Sequence, residues 1–254
     1  MANKDSLYFT FDGIDSEAFG IMQVSVSSGS TEEDFGHQRS LIETRIYGQD
    51  KSYLHGYQTE PKRIPVTFYL EDFNDQEKLN RITRWLYQSE FKPLYFSNNP
   101  HRIYYVMLID QPTITHNSIN QAVVNVVFQS NSPYAYSPVY NISKYFTNNS
   151  NGTMIEIENK GIKPVHLDME IVKKGLGDIE VINYTNSNQF KLKTNLDGEQ
   201  ITIDSENKDI ITSLPNTYRY KDFSGDYMKL AVGTNRLKVI GDGEFYFTYY
   251  NVLP

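Results

Sequence analysis

Residues 128–140 read FQSNSPYAYSPVY, with two prolines, three tyrosines and no charge. They follow QAVVNVVFQ (121–129), whose apolar residues recur as in a buried or half-buried strand. Pro133 and Pro138 lack the backbone N–H that a central strand must donate, and each biases its predecessor away from helix. The strand therefore has to end here, and a domain boundary is expected in this stretch, with its tyrosines as an adhesive seam.

Upstream, LYFTF (7–11), GIMQVSV (20–26), RIPVTFYL (63–70) and HRIYYVMLI (101–109) also alternate with period two and read as strands. One segment departs from that period. NDQEKLNRITRWLYQS (74–89) puts Leu79, Ile82, Trp85 and Leu86 on one helical face with charges opposite. Asn74 and Glu77 form the expected capping box, Pro93 helps to stop the helix, and Trp85 is expected in the core against the sheet.

Downstream, NISKYFTNNSNGT (141–153) reads as a polar, turn-rich tract. About nine short strands follow it: 153–159, 163–173, 178–184, 188–195, 199–205, 208–213, 227–233, 235–241 and 244–251. Asp-Gly turn signals fall at 197–198 and 242–243. The fold class is thus mainly β. An N-terminal β-rich domain with one α-helix (about 74–89) occupies residues 1–138, and a C-terminal jelly-roll or lectin-like β-sandwich occupies 139–254. Cleavage between Pro138 and Gly152 is expected to release two separately folding pieces.

Composition excludes several kinds of chemistry. The 254 residues contain no cysteine, so disulfides, thiolate zinc sites and cysteine nucleophiles are absent. Tyr and Phe number 20 and 14, which favours packed strands over disorder. No segment has the length and apolarity of a signal peptide or membrane helix, and a soluble protein made in a cytoplasm is expected, with no membrane partner. The Asn-x-Ser/Thr sequons at Asn141, Asn148, Asn151 and Asn183 are then incidental. The net charge is −7; residues 1–133 hold 11 basic and 16 acidic residues, net −5, so no basic stripe for nucleic acid is expected.

The five histidines, His37, His55, His101, His116 and His166, lack metal-ligand spacing. Gly-x-Ser-x-Gly, Walker and dinucleotide motifs are missing, so no catalytic, cofactor-binding or metal residue is assigned. Glu156 with Glu158, and Asp168 with Glu170, share strand faces and are two carboxylate groupings that a glycosidase reading could use. Alternating acids on a strand more commonly mark its solvated face. Exposed aromatics in EFYFTYY (244–250) would instead suit a lectin-like module recognising host cell-wall sugar.

Several stretches, taken in order, resemble one family. TRIYGQDKSYLHGYQTEPKRIPVTFYLED (44–72) looks like its Gly-x-Asp turn before a core strand. KPLYFSNNPHRIYYVML (92–108) looks like its Asn-Pro turn and aromatic strand, and VVFQSNSPYAYSP like its strand-Pro-Tyr-x-Tyr boundary. LDGEQITIDSENKDI (196–210) and MKLAVGTNRLKVIGDGEFYFTYY (228–250) resemble its C-terminal domain. The family is the distal tail protein (Dit) family of long-tailed, non-contractile, siphovirus-type bacteriophages. Tyr47 stands where its basic residue usually precedes the turn glycine, with Arg45 two positions earlier.

The resemblance implies a hexameric ring joined through N-terminal domains, with galectin-like C-terminal sandwiches projecting outward. Such a hub would join the end of the tail tube protein to the tip or fibre protein, leave a channel through which DNA passes unbound, and lie in the virion at the tail tip. It implies no enzyme activity and no cofactor. Residues 29–60, too long and polar for a hairpin loop, would hold an arm reaching a neighbouring subunit.

Overall fold

A computed structural model of the chain describes residues 6–24, 38–116 and 120–254. It separates into two compact units, residues 1–136 and 137–253. The first unit runs β1 (Phe9–Phe11), β2 (Ile14–Asp15), β3 (Ile21–Gln23), β4 (Arg39–Thr44), β5 (Tyr53–Thr59), β6 (Arg63–Glu71), α1 (Gln76–Leu86), β7 (Lys92–Phe96), β8 (Asn99–Leu108), β9 (Thr113–His116), β10 (Gln121–Ser130) and β11 (Ala135–Tyr136). Its main sheet has the order β2-β1-β7-β8-β10-β6-β3. The longest ladder is antiparallel, β10 on β6, from Gln121↔Glu71 to Gln129↔Arg63.

Alternation sets which side chains are covered. Ile64, Val66, Phe68 and Leu70 of β6 are buried beside Ala122, Val124, Val126 and Phe128 of β10. Helix α1 lays Ile82, Trp85 and Leu86 into the same core, and Leu79 is half-buried. Trp85 stacks on Phe19 at 4.6 Å and Phe9 at 5.7 Å between ring centroids, and its Nε1 donates to the Phe11 carbonyl at 2.9 Å. An indole buried with its one donor satisfied contributes full apolar burial without a stranded polar atom.

Two details of the helix differ from the sequence reading. The N-cap is Asp75, whose carboxylate accepts from the Glu77 and Lys78 amides, so the cap sits one residue later than Asn74. Asp and Asn cap almost equally well, and the periodicity could not separate adjacent candidates. The helix ends at Leu86, six residues before β7, and Pro93 lies inside that strand rather than acting as the stop.

The second unit runs β12 (Tyr140–Phe146), β13 (Thr153–Asn159), β14 (Val165–His166), β15 (Asp168–Lys173), β16 (Gly177–Asn183), β17 (Asn188–Asn195), β18 (Gln200–Asp204), β19 (Asp209–Thr212), β20 (Phe223–Gly225), β21 (Lys229–Leu230), β22 (Gly233–Ile240), β23 (Gly243–Tyr249) and β24 (Val252–Leu253). Two five-stranded sheets, β12-β23-β15-β18-β19 and β13-β22-β16-β17-β20, enclose one core. The mainly-β reading therefore holds, with a single α-helix among the described residues.

The tract read as turn-rich is the exception. Tyr140–Phe146 is a full edge strand, paired with β23 from Tyr140↔Tyr249 to Phe146↔Gly243. Only Phe146 is fully buried, and an edge strand that is wet on one side and at its rim shows little apolar alternation. Both Asp-Gly signals mark real turns, but each carries the chain from one sheet to the other rather than closing a hairpin: β17 to β18, and β22 to β23.

Buried asparagines tie the sandwich ends. Asn235 donates to the Ala231 and Gly233 carbonyls and accepts from the Ala231 amide and from Asn183 Nδ2. Asn149 donates to the Val239 and Gly241 carbonyls and accepts from the Thr153 hydroxyl. Asn183, one of the sequon positions, is fully buried in this network. An amide carrying donors and an acceptor substitutes for the ladder where strands stop.

Candidate interaction surfaces

Two tyrosines of the opening stretch have neighbours within their own units. Tyr136 pairs with Ile103 and meets Tyr105 edge-on at 5.7 Å, while Tyr140 stacks on Tyr249 at 5.3 Å.

Strands β4 and β5 form a two-stranded antiparallel ribbon that joins no other strand among the described residues. Every residue of β4 is exposed. Leu41 (63% exposed), Ile42 (52%), Leu54 (64%) and Tyr57 (56%) would each be core residues in an ordinary sheet. The ribbon is held by local polar contacts: Arg39 lies over the Tyr57 ring at 4.6 Å, Ser52 donates to Glu43 at 2.6 Å, and His55 Nε2 bonds the Thr44 hydroxyl at 2.9 Å. A bulge interrupts the register between Ile42 and Glu43, where Gly56 sits opposite Ile42. The sequence reading placed an arm within residues 29–60; its part up to residue 37, and with it His37, lies outside the described residues.

In the second unit the two outer sheet faces differ. On the β13–β22–β16–β17 face, acids sit beside bases: Glu156 bridges Arg236 at 3.4 Å, Glu158 bridges Lys160 at 3.5 Å, and Lys191 lies 3.4 Å from Asp178 and 3.8 Å from Glu180. Glu156 and Glu158 are thus exposed, paired charges on a solvated face. On the β12–β23–β15–β18–β19 face, Asp168 and Glu170 make no ion pair. Burial, followed by the nearby Asp204 and Glu206 charges, pushes the Asp168 carboxyl above its ordinary value, although the Ser205 amide donates to it at 2.8 Å.

A buried ion pair lies next to β18 and β19. Arg219 donates through Nε and Nη2 to Glu199 at 2.8 and 2.6 Å and through Nη1 to Asp222 at 2.8 Å; Thr212 also donates to Glu199. Burial alone would raise the Glu199 carboxyl, but the Arg219, Thr212 and Leu196 hydrogen bonds hold it below the usual range. Lys173, 2% exposed, is pushed down by burial and donates to the Lys174 carbonyl at 2.6 Å. Sequence reading singled out none of these three residues, because a buried charge leaves no periodic signal.

The described histidines are dispersed. His116 stacks on Phe73 at 4.6 Å, His55 belongs to the ribbon, His101 is exposed and His166 flanks Asp168. No group of three or more His, Asp or Glu among the described residues could hold a metal.

Comparison with known proteins places this architecture. A family model described as a phage tail protein N-terminal domain matches residues 4–132, and one described as a phage tail C-terminal domain matches 134–249. The chain belongs to this phage tail protein family. An SPβ prophage-derived protein of Bacillus subtilis strain 168, YomH, is 32% identical over 243 residues, covering 94% of each chain. Within the class the chain has a Dit-like fold. Its fold matches the crystal structure of the Dit protein of phage SPP1 with a TM-score of 0.70 and 15% identity, over 97% of this chain and 99% of that one. A chain of the phage p2 baseplate in its activated, calcium-bound conformation gives a TM-score of 0.50 at 11% identity, over 86% and 88%.

Proposed function

We propose that the chain is the structural hub of a phage tail tip. Six copies assemble through residues 1–138 into a ring carrying the sandwiches of residues 139–254 as separately folding, galectin-like domains. The ring joins the end of the tail tube to the tip or fibre protein in the virion, after synthesis in the host cytoplasm, and its role is mechanical rather than enzymatic. The SPP1 protein that shares the fold is described as a paradigm of the hub adsorption apparatus of phages infecting Gram-positive bacteria.

The β4–β5 ribbon carries the assembly reading. An isolated two-stranded ribbon is at best marginally stable in water, and this one exposes leucine, isoleucine and tyrosine along its length. Its natural cover is another copy of the chain, which would bury those side chains and pair its free edges. Six N-terminal segments of net charge −5 bring −30 to the ring, and an acidic channel wall repels the phosphate backbone and lets duplex DNA slide.

Electron microscopy and mass measurement of the purified chain test the proposal. Six-fold rings are expected. A monomer at every protein concentration and salt condition would refute the ring, and duplex DNA binding with a steep salt dependence would refute the acidic channel.

A further inference from the structure

The two ends of strand β6 carry opposite charge. At its start, Lys62 Nζ and Arg102 Cζ each lie 5.8 Å from the centroid of the Tyr104 ring, and Tyr104 is only 1% exposed. Arg102 Nε donates to the Tyr104 hydroxyl at 2.6 Å, which leaves the two terminal nitrogens of the guanidinium for another acceptor. Neither cation is in an ion pair among the described residues, and neighbouring Arg63 has one exposed bridge, to Asp110 at 3.9 Å. The Glu60 carboxylate, two residues before Lys62, accepts from the Ser40 hydroxyl. Two like charges gathered at one buried ring without a counter-charge repel each other, and an acid brought by another molecule relieves that cost.

The far end of β6 is the reverse. There a groove of about 270 Å3 opens between the helical turn Ser16–Phe19 and the start of α1, lined by Ala18, Phe19, Asp75, Glu77, Lys78 and Arg81. Its two bases are already engaged: Lys78 Nζ donates to the Glu71 carbonyl at 2.8 Å, and Arg81 lies over the Phe19 ring at 5.7 Å. Exposed Glu17, Glu71 and Asp72 edge the groove beside Asp75 and Glu77, and none of these five acids is in an ion pair among the described residues. The strand between Lys62 and Glu71 spans about 30 Å, so the cations and the groove cannot meet within one chain.

We propose that the cationic end of one copy, Lys62, Arg63 and Arg102, docks on the acid-edged groove of the next, so that the ring contact pairs two different surfaces head to tail. This inference rests on the ring reading and says which surfaces make the ring. The occupant is a second copy on two grounds: the charges are complementary, and the exposed β4–β5 ribbon is rooted at the cationic end, with only Glu60 and Pro61 between β5 and Lys62. A contact between unlike surfaces builds a closed ring or an open filament, whereas a self-complementary one stops at a two-fold dimer.

The test is a charge swap in the full chain, read as particle mass against protein concentration. K62E/R63E alone and E17K/E77K alone are each expected to raise the concentration needed for half-assembly by at least about tenfold, because like charges then face each other at every contact. An equimolar mixture of the two is expected to return to within about threefold of the native chain, since alternating copies restore opposite charges throughout. The swap E156K/E158K, in the second unit, is expected to shift assembly less than about twofold. Native rings that both swaps leave unchanged, a mixture no better than its components, or an equal loss from E156K/E158K would overturn the head-to-tail contact and leave the ring standing. So would duplex DNA bound by the native chain and released by K62E/R63E, which assigns the cations to phosphate. Native chains that never assemble would overturn the ring itself. Circular dichroism establishes that each variant is folded, and both swaps leave the Asp75 cap and the Arg102–Tyr104 hydrogen bond in place.

Discussion

The β4–β5 ribbon and the C-terminal sandwich use similar residues to opposite ends. In the sandwich, Ile171, Ile203, Leu237 and Phe247 are fully buried, and its strand ends are tied by asparagines and an ion pair. In the ribbon, Leu41, Ile42, Leu54 and Tyr57 face solvent, and only local polar contacts and a two-strand ladder hold it. The sandwich satisfies itself within one chain. The ribbon leaves its apolar surface uncovered among the described residues, and the proposed ring would cover it with another copy of the chain.

The largest expected break lies in the sandwich. Glu199→Ala removes two of the hydrogen bonds of the Arg219 guanidinium, 5% exposed, and leaves it paired with Asp222, so it is expected to cost the second unit about 3 kcal/mol in chemical denaturation. Replacing Glu199 and Arg219 together by apolar residues should cost much less, and a double-mutant cycle measures the difference. Next, Asn235→Ala removes four hydrogen bonds at one strand end and should cost about 1–3 kcal/mol.

Two pH effects of opposite sign sharpen the comparison. Glu199 has a folded value below its ordinary one, so its contribution is present above the ordinary carboxylate range and is lost as pH falls through the folded value. The stability gap between the native chain and Glu199→Gln should therefore close on acidification. Asp168 has a folded value above its ordinary one, so its ionised form opposes folding at neutral pH. Asp168→Asn is expected to stabilise the chain at pH 7 by less than about 1 kcal/mol, with the gain vanishing below the ordinary Asp value. A neutral-pH loss would show that the carboxylate's hydrogen bond from Ser205 outweighs the cost of its burial.

The smallest stability effect belongs to the ribbon. Leu41→Asp with Leu54→Asp should leave the unfolding midpoint of the isolated chain within about 0.5 kcal/mol, because neither side chain is buried.

Legibility followed the same divide. Strands buried on alternate residues, such as β6, β10, β15 and β23, showed in the sequence because burial imposes period two. The helix face with Trp85 showed through period 3.6, while its cap shifted by one residue between Asn74 and Asp75. Strand β12 was hidden because its side chains are nearly all wet, so a cut placed after Phe146 within the 138–152 stretch would remove a sandwich strand. Division between Tyr136 and Ser137, the edge of the two compact units, is the cut expected to give two folding pieces. The Arg219–Glu199 pair could not be read, since partners 20 residues apart meet only through the fold. The sequence reading marked residues 29–60 as an arm and placed no strand there, because β4 and β5 bury no alternate face, and the ribbon's exposed leucines became apparent only with no third strand beside it among the described residues.

The most direct measurement is the mass and electron-microscopic symmetry of the purified chain beside its Leu41→Asp/Leu54→Asp variant, at matched concentration and salt. Six-fold rings for the native chain and folded monomers for the variant are the predicted result. Rings of unchanged mass in the variant would contradict a ribbon built for assembly, and native chains that remain monomeric throughout would contradict the hub itself.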